Sequence, residues 1–320
     1  MEPIERGRFA PSPSGRMHLG NAFCALLAWL SCRAAGGRMV LRIEDLDPDR
    51  SRPEYARQLM EDLLWLGLDW DEGGGKGGPA PPYAQSQCAG VYAQALAKLG
   101  HAGLLYPCFC SRAELHAAQA PHASDGQPPY SGRCRGLTPA QRQALRGTRR
   151  PAIRLRVPWE AICFQDGCQG PQRQNLAAEC GDFILRRSDG VFAYQLAVVC
   201  DDARMGVTQV VRGRDLLPST ARQLYLYQQL GLPAPQFYHI PLLLAPDGRR
   251  LSKRDGDLDL GALRLHTSAP QLVGRLAWWA GLLPAPEPLA PANLVPLFRW
   301  RKVGTQNIRL SPALLGPLAQ

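Results

Sequence analysis

The chain has 320 residues, 45% hydrophobic and 20% charged, a balance that excludes a disordered or fibrous protein and leaves room for one large or two to three small domains. Lys and Arg number 37 against 27 Asp and Glu, and the formal net charge of +10 suits a polyanionic partner such as RNA without naming one. Residues 22–30 are too short an apolar run to span a bilayer and lack the order of an export signal, so the ten scattered cysteines are expected to be reduced thiols of a cytoplasmic protein.

In chain order, residues 5–10 are expected to form a first strand, 11–15 a Pro- and Gly-containing turn, and about 18–35 a helix. Residues 38–44 alternate as a second strand. Pro53 opens a helix whose Leu59, Leu63 and Leu66 recur at helical spacing up to Gly67. A Gly/Pro-rich loop at 73–82 and an amphipathic helix at 89–99 close this block. Strand–helix–strand–helix order implies a parallel sheet with helices on both faces.

Residues 101–187 differ in character and read as an insertion into the sheet domain. They hold a Cys-x-Cys pair, a low-hydrophobicity loop at 117–129 and short strand-like runs such as 152–157. The α/β pattern returns at 191–199, at 206–212 and in a helix at 219–230. Residues 257–285 read as helical, with Trp278 and Trp279 in the core; the Pro- and Leu-rich tail from 284 has no assignment.

Two segments carry most of the chemistry. Phe9-Ala-Pro-Ser-Pro-Ser-Gly-Arg-Met-His-Leu-Gly-Asn21 places a rigid turn and a histidine at the start of a helix. Helix N-termini present N–H groups and a positive dipole end to phosphate. Arg249-Arg-Leu-Ser-Lys-Arg-Asp-Gly256 is a basic loop around Ser252 and Lys253, suited to a phosphate whose charge shifts during reaction. Alone, each is more readily an ordinary βα turn and a solvated basic loop. Together, in this order, they read as two halves of a nucleoside triphosphate site.

At these residues the chain resembles the class I aminoacyl-tRNA synthetases, in their glutamate branch. Pro11-Ser-Pro-Ser-Gly with His18-Leu-Gly-Asn21 is similar to the first class I signature and Arg250-Leu-Ser-Lys-Arg254 to the second. Arg42-Ile-Glu-Asp-Leu-Asp47, Trp65-Leu-Gly-Leu-Asp69, the stretch from Tyr194 to Asp202 and Val210-Val-Arg-Gly213 extend the match over roughly residues 6–285. Asn21 and Arg250 depart from the signatures, which carry histidine and lysine there. The fold so implied is α/β: a Rossmann-like catalytic domain in two halves (1–100 and 188–256), a zinc-binding, acceptor-like insertion at 101–187, and a small helical C-terminal subdomain at 257–320.

The resemblance implies that ATP, with Mg²⁺, activates L-glutamate as an adenylate, His18 and Lys253 stabilising the transition state. By family position Arg8, Phe9, Ala10, Pro11, Ser12, Glu44, Tyr194 and Arg212 bind glutamate. His18, Gly20, Asn21, Ser252 and Lys253 bind ATP. Glutamate has two carboxylates and one ammonium, so guanidinium and carboxylate side chains are the fitting partners. Without the motifs, salt-bridged strand ends and a buried tyrosine explain the same residues.

Cys108-Phe-Cys110 and Cys134 supply three sulfur ligands, one short of the four of a structural zinc site. His116, His122 and Tyr130 are the nearest fourth donors, and unbound thiols are the plainer alternative. Similarity of Tyr130-Ser-Gly-Arg-Cys134 to short members of the branch implies Tyr130 as the fourth ligand of one structural Zn²⁺, with His122 second. About 65 residues follow Lys253, which implies no anticodon-binding domain and places the chain with those short paralogues. They transfer glutamate to the queuosine base in the anticodon loop of tRNA(Asp). The expected enzyme is monomeric and has no membrane partner. The alternatives are a truncated enzyme charging a tRNA 3′ end, a weakly catalytic RNA-binding paralogue, and another ligase or nucleotidyltransferase acting on a small amine.

Overall fold

A computed structural model describes residues 4–110, 130–249, 251, 258–311 and 314. In chain order its first elements are β1 (Arg6–Phe9), α1 (Leu19–Ala34), β2 (Arg38–Leu41), α2 (Pro53–Trp65), β3 (Glu72–Gly73) and α3 (Ala89–His101). The insertion follows as β4 (Leu105–Cys108), α4 (Pro139–Arg146), β5 (Ala152–Leu155), the hairpin β6 (Ile162–Asp166) and β7 (Gly170–Gln174), and β8 (Phe183–Arg186). The chain returns through α5 (Tyr194–Arg204), β9 (Gln209–Gly213), α6 (Leu217–Leu230), β10 (Gln236–Ile240), β11 (Leu243–Leu244), α7 (Ala269–Trp279) and β12 (Ile308–Arg309).

The main sheet is parallel throughout, in the order β10-β9-β1-β2-β3. Alternation along each strand separates two cores. Met39, Leu41 and Val211 face the layer of α1, α2 and α7, whereas Val40 and Val210 face that of α3, α5 and α6. The order reverses between β1 and β9, and such a switch point opens a crevice at the carboxyl ends of the strands. In the insertion β4-β5-β8 form a separate antiparallel sheet, and the β6–β7 hairpin stands apart from it.

Several boundaries differ from the sequence pattern. The second strand ends at Leu41 rather than residue 44, because the Arg42 side chain turns inward to carboxylates. Two-residue β3 lies at the edge of the glycine-rich loop. β10 falls in a stretch the periodicity left unassigned. Residues 257–285 hold the one-turn helix Leu260–Leu263 and then α7, whose capping box at Ser268 and Gln271 starts a new helix. Trp279 is buried and Trp278 packs half-buried against the same core. Among the described residues no helix is long and apolar enough to cross a membrane.

Candidate active site

A cavity of about 410 Å³ lies at the switch point. The end of β1 and the turn after it bring Arg8, Phe9, Ala10, Pro11 and Ser12 to its wall. The start of α1 brings His18, Gly20 and Asn21, and Glu44, Tyr194 and Arg212 come from the segment after β2, the head of α5 and the end of β9. Thus the structure gathers in one cavity every described residue that the motifs single out for glutamate and ATP. Ser252 and Lys253 lie outside the described residues.

The floor is built from buried charge. Arg42 is fully buried; its Nη1 donates to Asp202 Oδ1 at 2.6 Å and its Nη2 to Glu44 Oε1 at 3.0 Å. Burying a guanidinium is costly unless its donors are matched, and here the two carboxylates match Arg42, which holds the Glu44 head in place. Burial raises the Glu44 pKa, against the lowering pull of Arg42 and Arg8. Arg8 donates through Nη1 to the Val211 carbonyl at 3.1 Å, and its Nε lies 3.8 Å from Asp202 Oδ1. Arg8, Arg16 and Arg212 line this space of small-molecule size together with Glu44 and Asp215, and the set Arg8, Arg212 and Glu44 complements a ligand with two acids and one amine.

Arg212 is buried as well, and its partners are neutral: His239 Nε2 at 2.9 Å, Gln223 Oε1 at 2.8 Å and Thr220 Oγ1 at 3.0 Å. Burial pushes its pKa below the ordinary arginine value. Burial likewise raises that of Tyr194, whose hydroxyl stays protonated as a donor. Cys24 also lines the cavity, but burial raises its thiol to about 11, so the uncharged form prevails and it is a poor nucleophile.

His18 caps α1. Its Nδ1 accepts the Gly20 N–H at 3.1 Å, which leaves the ring proton on Nε2 as a donor. Asn21 completes a capping box by accepting the His18 N–H at 3.3 Å. This is a local reason for an amide at a position where the family signature has histidine. A Cβ at Gly20 would meet His18 Cε1 at 3.0 Å, so glycine also leaves the ring room. The sequence reading missed Arg42, Asp202, Gln223 and His239. Arg42 stood in a quoted motif, yet nothing in its spacing separates a buried guanidinium from a strand-end one.

In the insertion, Cys108, Cys110 and Cys134 are buried, with their sulfurs within 4.8 Å of one another. Cys110 Sγ lies 3.8 Å from Cys134 Sγ, and Tyr130 Oη lies 3.5 Å from Cys108 Sγ and 3.8 Å from Cys110 Sγ. Tetrahedral zinc bonds of about 2.3 Å to sulfur and 2.0 Å to oxygen set donor separations of ~3.8 and ~3.5 Å, which these three distances approach. Burial raises the Cys108 thiol, but hydrogen bonds with Tyr130 and the Cys110 backbone N–H, together with Arg154, outweigh it and hold the pKa below the ordinary value; Cys110 is pushed up to about 12 by burial and by Cys108. The Arg154 guanidinium lies 3.5 Å from the Tyr130 ring centroid. His116 and His122 lie outside the described residues.

Residues 6–265 match the family described as "tRNA synthetases class I (E and Q), catalytic domain". A protein of Symbiobacterium thermophilum named "Glutamyl-Q tRNA(Asp) synthetase" is 52% identical over 318 residues, 98% of each chain. One of Sulfurihydrogenibium sp. named "Glutamate--tRNA ligase" is 43% identical over 97% of this chain and 65% of its own. The crystal structure of a glutamate tRNA ligase from Elizabethkingia meningosepticum, in complex with its amino acid, superposes with a TM-score of 0.83 at 29% identity. That likeness covers 98% of this chain and 68% of the other.

Proposed function

The chain belongs to the class I tRNA synthetases (E and Q), and from that premise we propose that it activates L-glutamate with ATP and transfers it to the queuosine base of tRNA(Asp). The observation that carries the glutamate half is the charge pattern of the cavity, where Arg8 and Arg212 stand with Glu44 around a space of about 410 Å³. The near full-length relative named for tRNA(Asp) supports the acceptor.

In this reading a glutamate carboxylate oxygen attacks the α-phosphorus of ATP. The new P–O bond forms as the bond to the pyrophosphate oxygen breaks, giving glutamyl-adenylate. A queuosine hydroxyl then attacks the acyl carbon and AMP leaves. Arg8 and Arg212 meet the carboxylates, Glu44 the ammonium, and Tyr194 donates a hydroxyl hydrogen bond. Phe9, Ala10, Pro11 and Ser12 shape the wall. His18 Nε2–H and Lys253 face the phosphate charge that grows in the transition state, which preorganised donors stabilise most. Gly20, Asn21 and Ser252 complete the ATP side, with Mg²⁺ arriving on the nucleotide.

Glutamate-dependent exchange of pyrophosphate into ATP, run without tRNA, tests the first step. Exchange on glutamate is the expected result, and faster exchange on another amino acid refutes the pocket assignment. A second reading, charging of a tRNA 3′ end, draws on the 43% identity to a glutamate–tRNA ligase.

For the insertion we propose one structural Zn²⁺ on Cys108, Cys110, Cys134 and Tyr130, a cross-link between β4 and the segment near Cys134. Elemental analysis is expected to find about one zinc per chain, lost with a lower melting temperature in Cys108→Ala. A metal-free wild type rejects the site.

A further inference from the structure

The β6–β7 hairpin of the insertion docks its turn on β10, the edge strand of the main sheet. The Gly167 N–H donates to the Phe237 carbonyl at 2.8 Å, Gln169 Nε2 to the His239 carbonyl at 2.7 Å, and Gln236 Nε2 to the Gln165 carbonyl at 2.9 Å. Covering an edge is reason enough for such contacts. The last residue of β6 does more. Asp166 is 1% exposed, and its Oδ1 accepts the backbone N–H groups of Cys168, Gln169 and His239 at 3.0, 2.8 and 3.1 Å. Its Oδ2 lies 2.5 Å from His239 Nδ1.

His239 is fully buried, and on its other side Arg212 Nε lies 2.9 Å and Thr220 Oγ1 3.2 Å from Nε2. Arginine Nε carries a proton and only donates. His239 Nε2 must therefore accept, the ring proton sits on Nδ1, and it points at the carboxylate. Every donor in the line Arg212–His239–Asp166 is matched by an acceptor in one direction only. Burial, with the Arg212 charge beside it, outweighs Asp166 and lowers the His239 pKa to about 4, which keeps the ring neutral.

We propose that Asp166 and His239 are positioning residues for the amino-acid pocket: Asp166 selects the His239 tautomer, and His239 then aims Arg212 at the substrate carboxylate. The inserted hairpin is on this account part of the glutamate site through a chain of two side chains. The inference rests on the assignment of Arg212 to the glutamate pocket.

Asp166→Asn tests it with little change of shape. The amide oxygen can keep the three backbone bonds, while the NH₂ now donates where the carboxylate accepted. His239 Nδ1 must then accept and Nε2 carries the proton, which can turn only to Thr220 Oγ1 at 3.2 Å, so Arg212 Nε loses its acceptor and faces a donor. The expected result is a glutamate KM for exchange raised at least tenfold, with the ATP KM and kcat within about twofold. The side-chain nitrogen NMR signals of His239 should report the move from Nδ1–H to Nε2–H. Gln236→Ala, which loses another bond between the same hairpin and strand, should leave the glutamate KM unaltered.

A switched tautomer with an unchanged glutamate KM overturns the proposal. So does a parallel rise of both KM values in Asp166→Asn and Gln236→Ala, which is the mark of a purely structural contact. Should Asp166→Asn not fold, His239→Gln, which can still accept from Arg212 and donate to Asp166, is expected to keep the glutamate KM within about threefold. His239→Met should raise it at least tenfold, and equal KM values in the pair refute the relay. The two failures are separable. Wild type exchanging on a different amino acid overturns the glutamate assignment, whereas exchange on glutamate that Asp166→Asn leaves untouched overturns the relay alone.

Discussion

Arg212→Ala raises the glutamate concentration for half-maximal exchange by about two orders of magnitude and leaves the ATP requirement within a few-fold. The size follows from burial. The Arg212 guanidinium is 3% exposed, and the three partners that hold it are uncharged. Among the described residues no carboxylate forms an ion pair with it, so an arriving substrate carboxylate meets a charge the fold has left largely uncompensated. Removing one partner of a buried, hydrogen-bonded charge pair costs roughly 2–5 kcal/mol, and about 1.4 kcal/mol is a factor of ten. Arg212→Lys should fall between, because an ammonium keeps the charge and loses the planar fork that His239, Gln223 and Thr220 orient. Unchanged glutamate dependence in Arg212→Ala removes the residue from the pocket.

His18→Ala should act on the other kinetic constant, lowering kcat for exchange by about 10²–10³ with a glutamate KM near that of the wild type. Two losses are mixed in that variant. The side chain caps α1 through Nδ1, a contribution of about 1 kcal/mol to the helix, and its Nε2–H is the donor assigned to the phosphate. His18→Asn separates them, since asparagine is a good N-cap but is too short to place a donor where Nε2–H stands. Restored thermal stability with kcat still depressed is the expected result for His18→Asn. A kcat that recovers along with the melting temperature would reduce His18 to a capping residue. Lys253→Ala is expected to lower kcat in the same way.

The line between what was legible in the sequence and what was not follows physical range. β1, α1, α2, α3 and the parallel order could be read because apolar periodicity, Pro53 and the turn residues after β1 act within a few positions. The cavity wall at Phe9–Ser12 and His18–Asn21 could be read because the motif is contiguous. β3 was hidden, since a two-residue edge strand ending in Gly73 has no periodicity to show. The split between Leu260–Leu263 and α7 turns on a cap at Ser268 inside an otherwise helical stretch.

The polar scaffold under the site lies further out of reach. Arg42 finds Asp202 across 160 positions and His239 finds Asp166 across 73, and neither pair leaves a mark on spacing or composition. What makes them necessary is burial: once Arg42, Arg212 and His239 are taken out of water, each needs a partner of the right donor or acceptor sense. That constraint becomes visible only when the sheet is assembled. Asn21 shows the converse, a departure from the signature that becomes intelligible as half of a capping box.

The acceptor is the claim on which the function turns. Labelled glutamate, ATP and Mg²⁺ should be incubated with the enzyme and three RNAs: tRNA(Asp) bearing queuosine, tRNA(Asp) without it, and unmodified tRNA(Glu). Label appearing on the queuosine-containing tRNA(Asp) alone, and surviving removal of the 3′-terminal nucleoside, is the predicted result. Label on the 3′ end of tRNA(Glu), or equal label on tRNA(Asp) with and without queuosine, would contradict it.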